Sequence, residues 1–104
     1  MQVRRGATTP GRPGYPAMTL NFPNRSRSYD ARRNLVRFWG YDGALEITFF
    51  VEVSALCSLN PRTRNLEAGY LETFDSARDR IHETARKVYA RARKGVCLLA
   101  AADF

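Results

Sequence analysis

The stretch from Asn34 to Val51 constrains this chain more than any other, because it admits one local structure. Leu35-Val36-Arg37-Phe38-Trp39 and Ala44-Leu45-Glu46-Ile47-Thr48-Phe49-Phe50-Val51 are rich in β-branched and aromatic residues, and they flank Gly40-Tyr41-Asp42-Gly43. Two such runs around an Asp-Gly turn predict a β-hairpin. With Trp39 opposite Ala44, Phe38 meets Leu45, Arg37 meets Glu46 and Val36 meets Ile47, so apolar faces apolar and cation faces carboxylate. Tightening the loop to Asp42-Gly43 shifts the pairing by two and leaves every side chain on its face. The expected core face carries Val36, Phe38, Leu45, Ile47 and Phe49; the other carries Arg37, Glu46 and Thr48 with Trp39 and Phe50.

The pattern then turns helical. Val53 to Leu59 reads as a short helical turn closed by Asn60-Pro61, since a residue before proline is pushed out of the α region. A second short helix follows, with Asn65 as its cap, Glu67 in its first turn and Leu66, Tyr70, Leu71 and Phe74 on one side, although Gly69 opposes it. A long amphipathic helix is predicted from about Asp75 to Lys94, where Phe74, Ala77, Ile81, Ala85, Val88 and Ala92 form a stripe. Asp75 or Ser76 would cap it, and Gly95 would supply the left-handed position at its end. Val96 to Ala100 returns as a strand. The expected fold class is therefore α+β: a small antiparallel sheet, the N-terminal hairpin plus the C-terminal strand, packed against the long helix and one or two short helices.

A chain of 104 residues with 44% hydrophobic content has room for one domain and enough apolar mass to fill its core. The first 17 residues differ from the rest: they are dense in Gly and Pro, lack periodicity and carry Arg4, Arg5 and Arg12 without an acid, so disorder is expected there. Met18 stands directly before the first segment that reads as packed, Leu20-Asn21-Phe22-Pro23, which makes it a candidate start, with 18–104 as the single domain. Peptides from residues 1–17 in the native protein would refute that start. The net charge of +7 shrinks to +4 once those three arginines are set aside, since 14 basic and 10 acidic groups remain. Cys57 and Cys97 form no Cys-x-x-Cys or Cys/His cluster, so neither a disulfide framework nor a zinc site is suggested. Neither a signal-peptide core nor a membrane span can be read in the text, and the expected location is cytoplasmic.

In order and spacing, Leu20-x-Phe22-Pro23, Tyr29-Asp30, the Val36-x-Phe38 strand, the helix bearing Phe74, Arg78, Ile81, Ala85 and Tyr89, and the closing Ala102-Asp103-Phe104 resemble the short bacterial proteins of the domain of unknown function 1488 family. The resemblance runs from about Met18 to Phe104 and implies a compact α+β fold. It carries over no catalytic or binding residue. The leader departs from the family pattern.

Four features are candidates for function. Arg86, Lys87, Arg91, Arg93 and Lys94 could track phosphates, yet at 100° per residue they spread over more than a third of the helix wheel and equally suit a solvated helix end. Arg25, Arg27, Arg32 and Arg33 bracket Tyr29, the composition of a single-strand stacking site; the alternative has Tyr29 packing back on the sheet edge. The two clusters on one face would favour nucleic acid, and on opposite faces would disfavour it. Trp39, Tyr41 and Phe50 are candidate protein-contact anchors, with some cover expected from a clip around Leu20 and Phe22-Pro23. His82, the single histidine, borders the apolar stripe, and Arg78 one turn earlier would lower its pKa without orienting it as a base. Glu46 and Glu52 are roughly 20 Å apart along a strand, too far for paired-carboxylate chemistry. With no glycine-rich phosphate loop or nucleophile elbow, the reading is of a non-enzymatic binding or accessory domain. An unidentified protein is the expected partner and nucleic acid the alternative; no cofactor, metal, membrane or small-molecule ligand is implied.

Overall fold

The computed structural model describes residues 20–104; the leader at 1–17 and the start at Met18 lie outside the described residues. Strands β1 (Leu20–Asn21), β2 (Arg27–Asp30), β3 (Leu35–Asp42) and β4 (Leu45–Glu52) come first, followed by helices α1 (Val53–Leu59), α2 (Glu67–Ser76) and α3 (Arg78–Ala92). Strand β5 (Val96–Leu99) and a 3-10 turn, Ala101–Asp103, close the chain. The class is α+β, as the sequence implies. β3 and β4 form the expected hairpin at the centre of one sheet, β1 and β2 both pair with the free edge of β3, and β5 pairs with β4.

The hairpin is tighter than the two registers considered from sequence. Asp42 pairs with Leu45, so the turn is Gly43-Ala44, and Phe38 faces Phe49 while Val36 faces Val51. Gly43 has φ +64° and Ala44 no positive φ, the combination of a type II′ turn, whose twist matches the flanking strands. The shift is by an even number, so the faces hold: Val36, Phe38, Ile47 and Phe49 are buried, joined by Val51. Leu45 is the exception at 58% exposed, because in the tighter register it sits beside the turn, past the layer of helices.

β5 runs parallel to β4, whereas addition to an antiparallel sheet was expected. The chain leaves β4 at Glu52, and the three helices carry it back across the core face, so it re-enters in the same sense. The sheet is therefore mixed and mostly antiparallel. Phe38 joins the layers: its ring lies 5.2 Å from Phe49 across the hairpin and 5.1 Å from Phe74 of α2. Such aromatic pairs add about 0.5–1.5 kcal/mol beyond the burial of their area. Ile81, Ala85 and Tyr89 of α3 and Leu56 of α1 complete this core.

The helices differ from expectation at their ends. α1 matches its expected limits. The long helix is divided, since α2 absorbs Phe74, Asp75 and Ser76, and the helical path breaks at Ala77. Neither Asn65 nor Asp75 nor Ser76 acts as a cap: Leu66 and Ala77 hold the cap positions without side-chain bonds. Asp75 is engaged instead by Arg27 of β2 and Arg78 of α3. The left-handed residue ending α3 is Arg93, φ 52°, not Gly95.

Candidate functional site

Every helix packs on the Phe38 face of the sheet. The opposite face is assembled from alternate residues of four strands: Leu35, Arg37, Trp39 and Tyr41 of β3, Glu46, Thr48, Phe50 and Glu52 of β4, Val96 and Leu98 of β5, and Ser28 and Asp30 of β2. In register, one row reads Ser28, Arg37, Phe50, Leu98 and the next Trp39, Thr48, Val96. Val96 is 59% and Leu98 49% exposed, while Trp39 and Phe50 are half-buried by their neighbours on the face.

Two of the three predicted contact residues, Trp39 and Phe50, thus lie in adjacent rows of one face with Val96 and Leu98, forming an apolar strip interrupted by Thr48, and Tyr41 lies toward the hairpin tip. Arg37 places its guanidinium 5.2 Å from the Trp39 ring centre, and Arg33 lies 6.0 Å from that of Phe50. The Tyr41 hydroxyl donates to Glu46 Oε2 at 3.0 Å, and this bond to a carboxylate raises its pKa above that of free tyrosine. Val96 and Leu98 lie on the same face and are not among the candidates named from the sequence. Strict alternation along Val96-Cys97-Leu98-Leu99, with Cys97 and Leu99 buried, was the signal, but only knowledge of the edge position turns it into exposure.

The expected clip does not cover this face. Leu20 is buried on the core side, and the Phe22 ring stacks on His82 at 3.9 Å, with the guanidinium of Arg86 5.2 Å from its centre. β1 pairs with the Asp42 end of β3, so residues alternate about the sheet and the apolar Leu20 and Phe22 turn inward while Asn21 turns out. Phe22 and Pro23, with Asn21, Tyr41 and Gly43, line an open groove of about 660 Å³ at this edge. A second hollow, about 370 Å³, lies between Arg33, Asn34, Leu35, Glu52, Val53 and Ser54.

The predicted basic residues do not assemble into one surface. Arg32 and Arg33 sit in the turn joining β2 to β3. Arg93 and Lys94 sit at the other end of the sheet, because Tyr89, one turn before Arg93, donates to Asp42 Oδ2 at the hairpin tip, 2.6 Å away. An eight-residue strand separates those ends, roughly 25 Å. Several cations are also committed within the fold. Arg27 makes a two-pronged bond to Asp75, 3.0 and 2.8 Å, Arg91 reaches Asp103 at 3.3 Å, and Arg93 lies over Tyr89. Tyr29 packs toward Tyr70, ring centres 5.3 Å apart, and its hydroxyl donates to Asn34, which favours the sheet-edge reading of that ring. Arg25 and Arg86 do converge: both press on His82, whose pKa falls to about 4, first through burial and then through Arg78 and Arg86, with Arg25 adding to them and Asp79 opposing. Lys87 and Lys94 are exposed.

Among the described residues no three His, Cys, Asp or Glu side chains gather as metal ligands, and no helix is long and apolar enough to cross a membrane. Cys57 and Cys97 are free thiols, and burial raises the pKa of Cys97, which suits an inert packing role.

Residues 20–99 match the model of the family described as Protein of unknown function (DUF1488). No curated protein matches the chain. A crystal structure of a protein of unknown function from the same family, from Shewanella loihica PV-4, superposes with a TM-score of 0.70, covering 78% of this chain and 91% of that one at 18% identity. At that identity the superposition speaks for the fold. The family match spans most of the chain, and the chain is a member of the DUF1488 family.

Proposed function

We propose that this protein is a non-catalytic binding domain that docks another protein on its open sheet face. The observation that carries the reading is the strip of Trp39, Phe50, Val96 and Leu98, on the side of the sheet opposite the one the helices pack against. A one-sided sheet ordinarily presents polar residues to water, and large exposed apolar patches mark interaction surfaces. Rim charges of both signs, Arg37 with Glu46 and Glu52, suit a protein partner over a uniformly anionic one.

Nucleic acid binding is the alternative, favoured only by the convergence of Arg25 and Arg86 beside Phe22. Native extracts separated by size discriminate the two. The protein should elute in an assembly that Phe50→Lys dissolves and nuclease leaves intact. An assembly dissolved by nuclease alone transfers the reading to nucleic acid, and elution as a free chain in every condition removes both. Anisotropy with labelled oligonucleotides gives an independent check, since binding through phosphates weakens steeply with salt.

A further inference from the structure

We infer that β5 pairs edge to edge with β5 of a second copy of this chain, antiparallel about a two-fold axis through Cys97, so that Val96 of one copy lies beside Leu98 of the other. The inference rests on the open-face reading above and names the occupant of its β5 side.

β5 ends the sheet: among the described residues it pairs only with β4. An edge strand offers a row of backbone donors and acceptors to any other strand, and proteins blunt such edges with lysine, proline, bulges or inward charges. Val96-Cys97-Leu98-Leu99 has none of these, and its outward side chains, Val96 and Leu98, are apolar and about half exposed. A two-fold axis perpendicular to the sheet keeps each side chain on its own face. Cys97 then meets Cys97 on the core side, and Val96 meets Leu98 twice on the outer side. The two apolar strips merge into one across a continuous sheet.

Charge selects the antiparallel sense and a copy of the same chain. Exposed Lys94 and Arg93 precede the strand. At its other end, extending the observed β4–β5 register sets Ala100 beside Glu52, whose side chain is on the outer face. Lys94 of one copy, just before the bend at Gly95 that leads into β5, is thereby brought to the Ala100 end of the other. The small alanine leaves Glu52, one strand further in, within reach of the ammonium. The contact repeats by symmetry. Parallel pairing would set Lys94 and Arg93 against their own copies. Among the described residues Glu52 otherwise accepts a long 3.4 Å bond from Ser54.

Light scattering on the purified full chain should give twice the chain mass, and Leu98→Lys should halve it while the circular dichroism stays unchanged. To fix the register, Val96→Cys and Leu98→Cys are made separately in a Cys57→Ser, Cys97→Ala background. Under oxidation the mixture should cross-link and neither variant alone should. A wild-type chain that stays monomeric at high concentration overturns the pairing, and so does a cross-link of Leu98→Cys with itself. A photo-cross-linking residue at position 50, tested in cells, separates this failure from that of the open face. An adduct with a different protein from a monomeric chain sinks the pairing and keeps the face; a dimer by scattering with no adduct at position 50 sinks the face reading and keeps the pairing.

Discussion

Gly69 shows how a single position can oppose the propensity of its element. It lies inside α2, where alanine would gain about 1 kcal/mol in helix propensity, but a Cβ there would fall on the Arg64 carbonyl. Overpacking against backbone costs about 1–3 kcal/mol and occasionally more, and a backbone carbonyl cannot rotate away, so the steric term wins. Gly69→Ala should therefore lower the thermal midpoint, read by circular dichroism, where propensity alone would raise it. His82 acts through its proton. Its pKa is depressed to about 4, so between the ordinary value near 6.5 and that value the unfolded chain binds a proton the folded chain refuses. Stability therefore falls as pH drops through this window. The ring is only half-buried, which trims the effect to roughly 1–2 kcal/mol. Urea unfolding near about pH 7 and about pH 5 should show this slope in the wild type and lose it in His82→Gln.

Among the elements, α3 ends least comfortably. Arg93 holds the left-handed conformation at φ 52° and ψ 41°, which costs a residue with a Cβ about 1 kcal/mol or more relative to glycine. Arg93→Gly gives up its place over the Tyr89 ring, an exposed contact worth about 0.5 kcal/mol. The expected net is a stabilisation of up to about 1 kcal/mol, read as a raised urea midpoint at unchanged slope. The start of α3 teaches the opposite lesson. Asp75 has the identity of a cap, but both its oxygens are taken by guanidinium groups, so the continuous stripe from Phe74 onward is broken into two helices at Ala77.

At the scale of the molecule, the Asp75 carboxylate ties the sheet to the helical layer, receiving Arg27 from β2 and Arg78 from α3. Burial raises its pKa, but the hydrogen bonds from Arg27 and Arg78 and their charges outweigh it, and the net value lies below the ordinary one. A depressed carboxylate stabilises the fold above its unfolded pKa, near about 3.9, and that contribution is lost as pH falls through the folded value. Arg78 is 8% exposed in its side chain and has one further nitrogen, Nε, without a bond partner, so it depends on Asp75. Asp75→Asn should cost about 1–3 kcal/mol at neutral pH and progressively less in acid, measured by denaturant unfolding across pH. The charge that looks like a functional signal in composition is dispersed over the same distances: Arg27 and Arg91 are spent within the fold, Arg32 and Arg33 sit at the opposite end of the sheet from Arg93 and Lys94, and only Arg25 and Arg86 converge, beside His82.

The sequence alone determined the hairpin, its faces, α1, the amphipathic character of α3 and the class of the fold, because side-chain alternation and helical spacing act over a few residues and survive any change of partner. It left the register open between even shifts, since these conserve the faces, and only the type II′ turn at Gly43-Ala44 and the Phe38–Phe49 contact selected one. The direction of β5, the division of the long helix and the inward turn of Phe22 depend on groups distant in the chain: the return path across the helices, the Arg27–Asp75 bond, and the His82 ring. The candidate surface divides the same way. Trp39 and Phe50 could be named from alternation, whereas Val96 and Leu98 became part of it only when the tertiary structure placed β5 at an edge with its outer face to water.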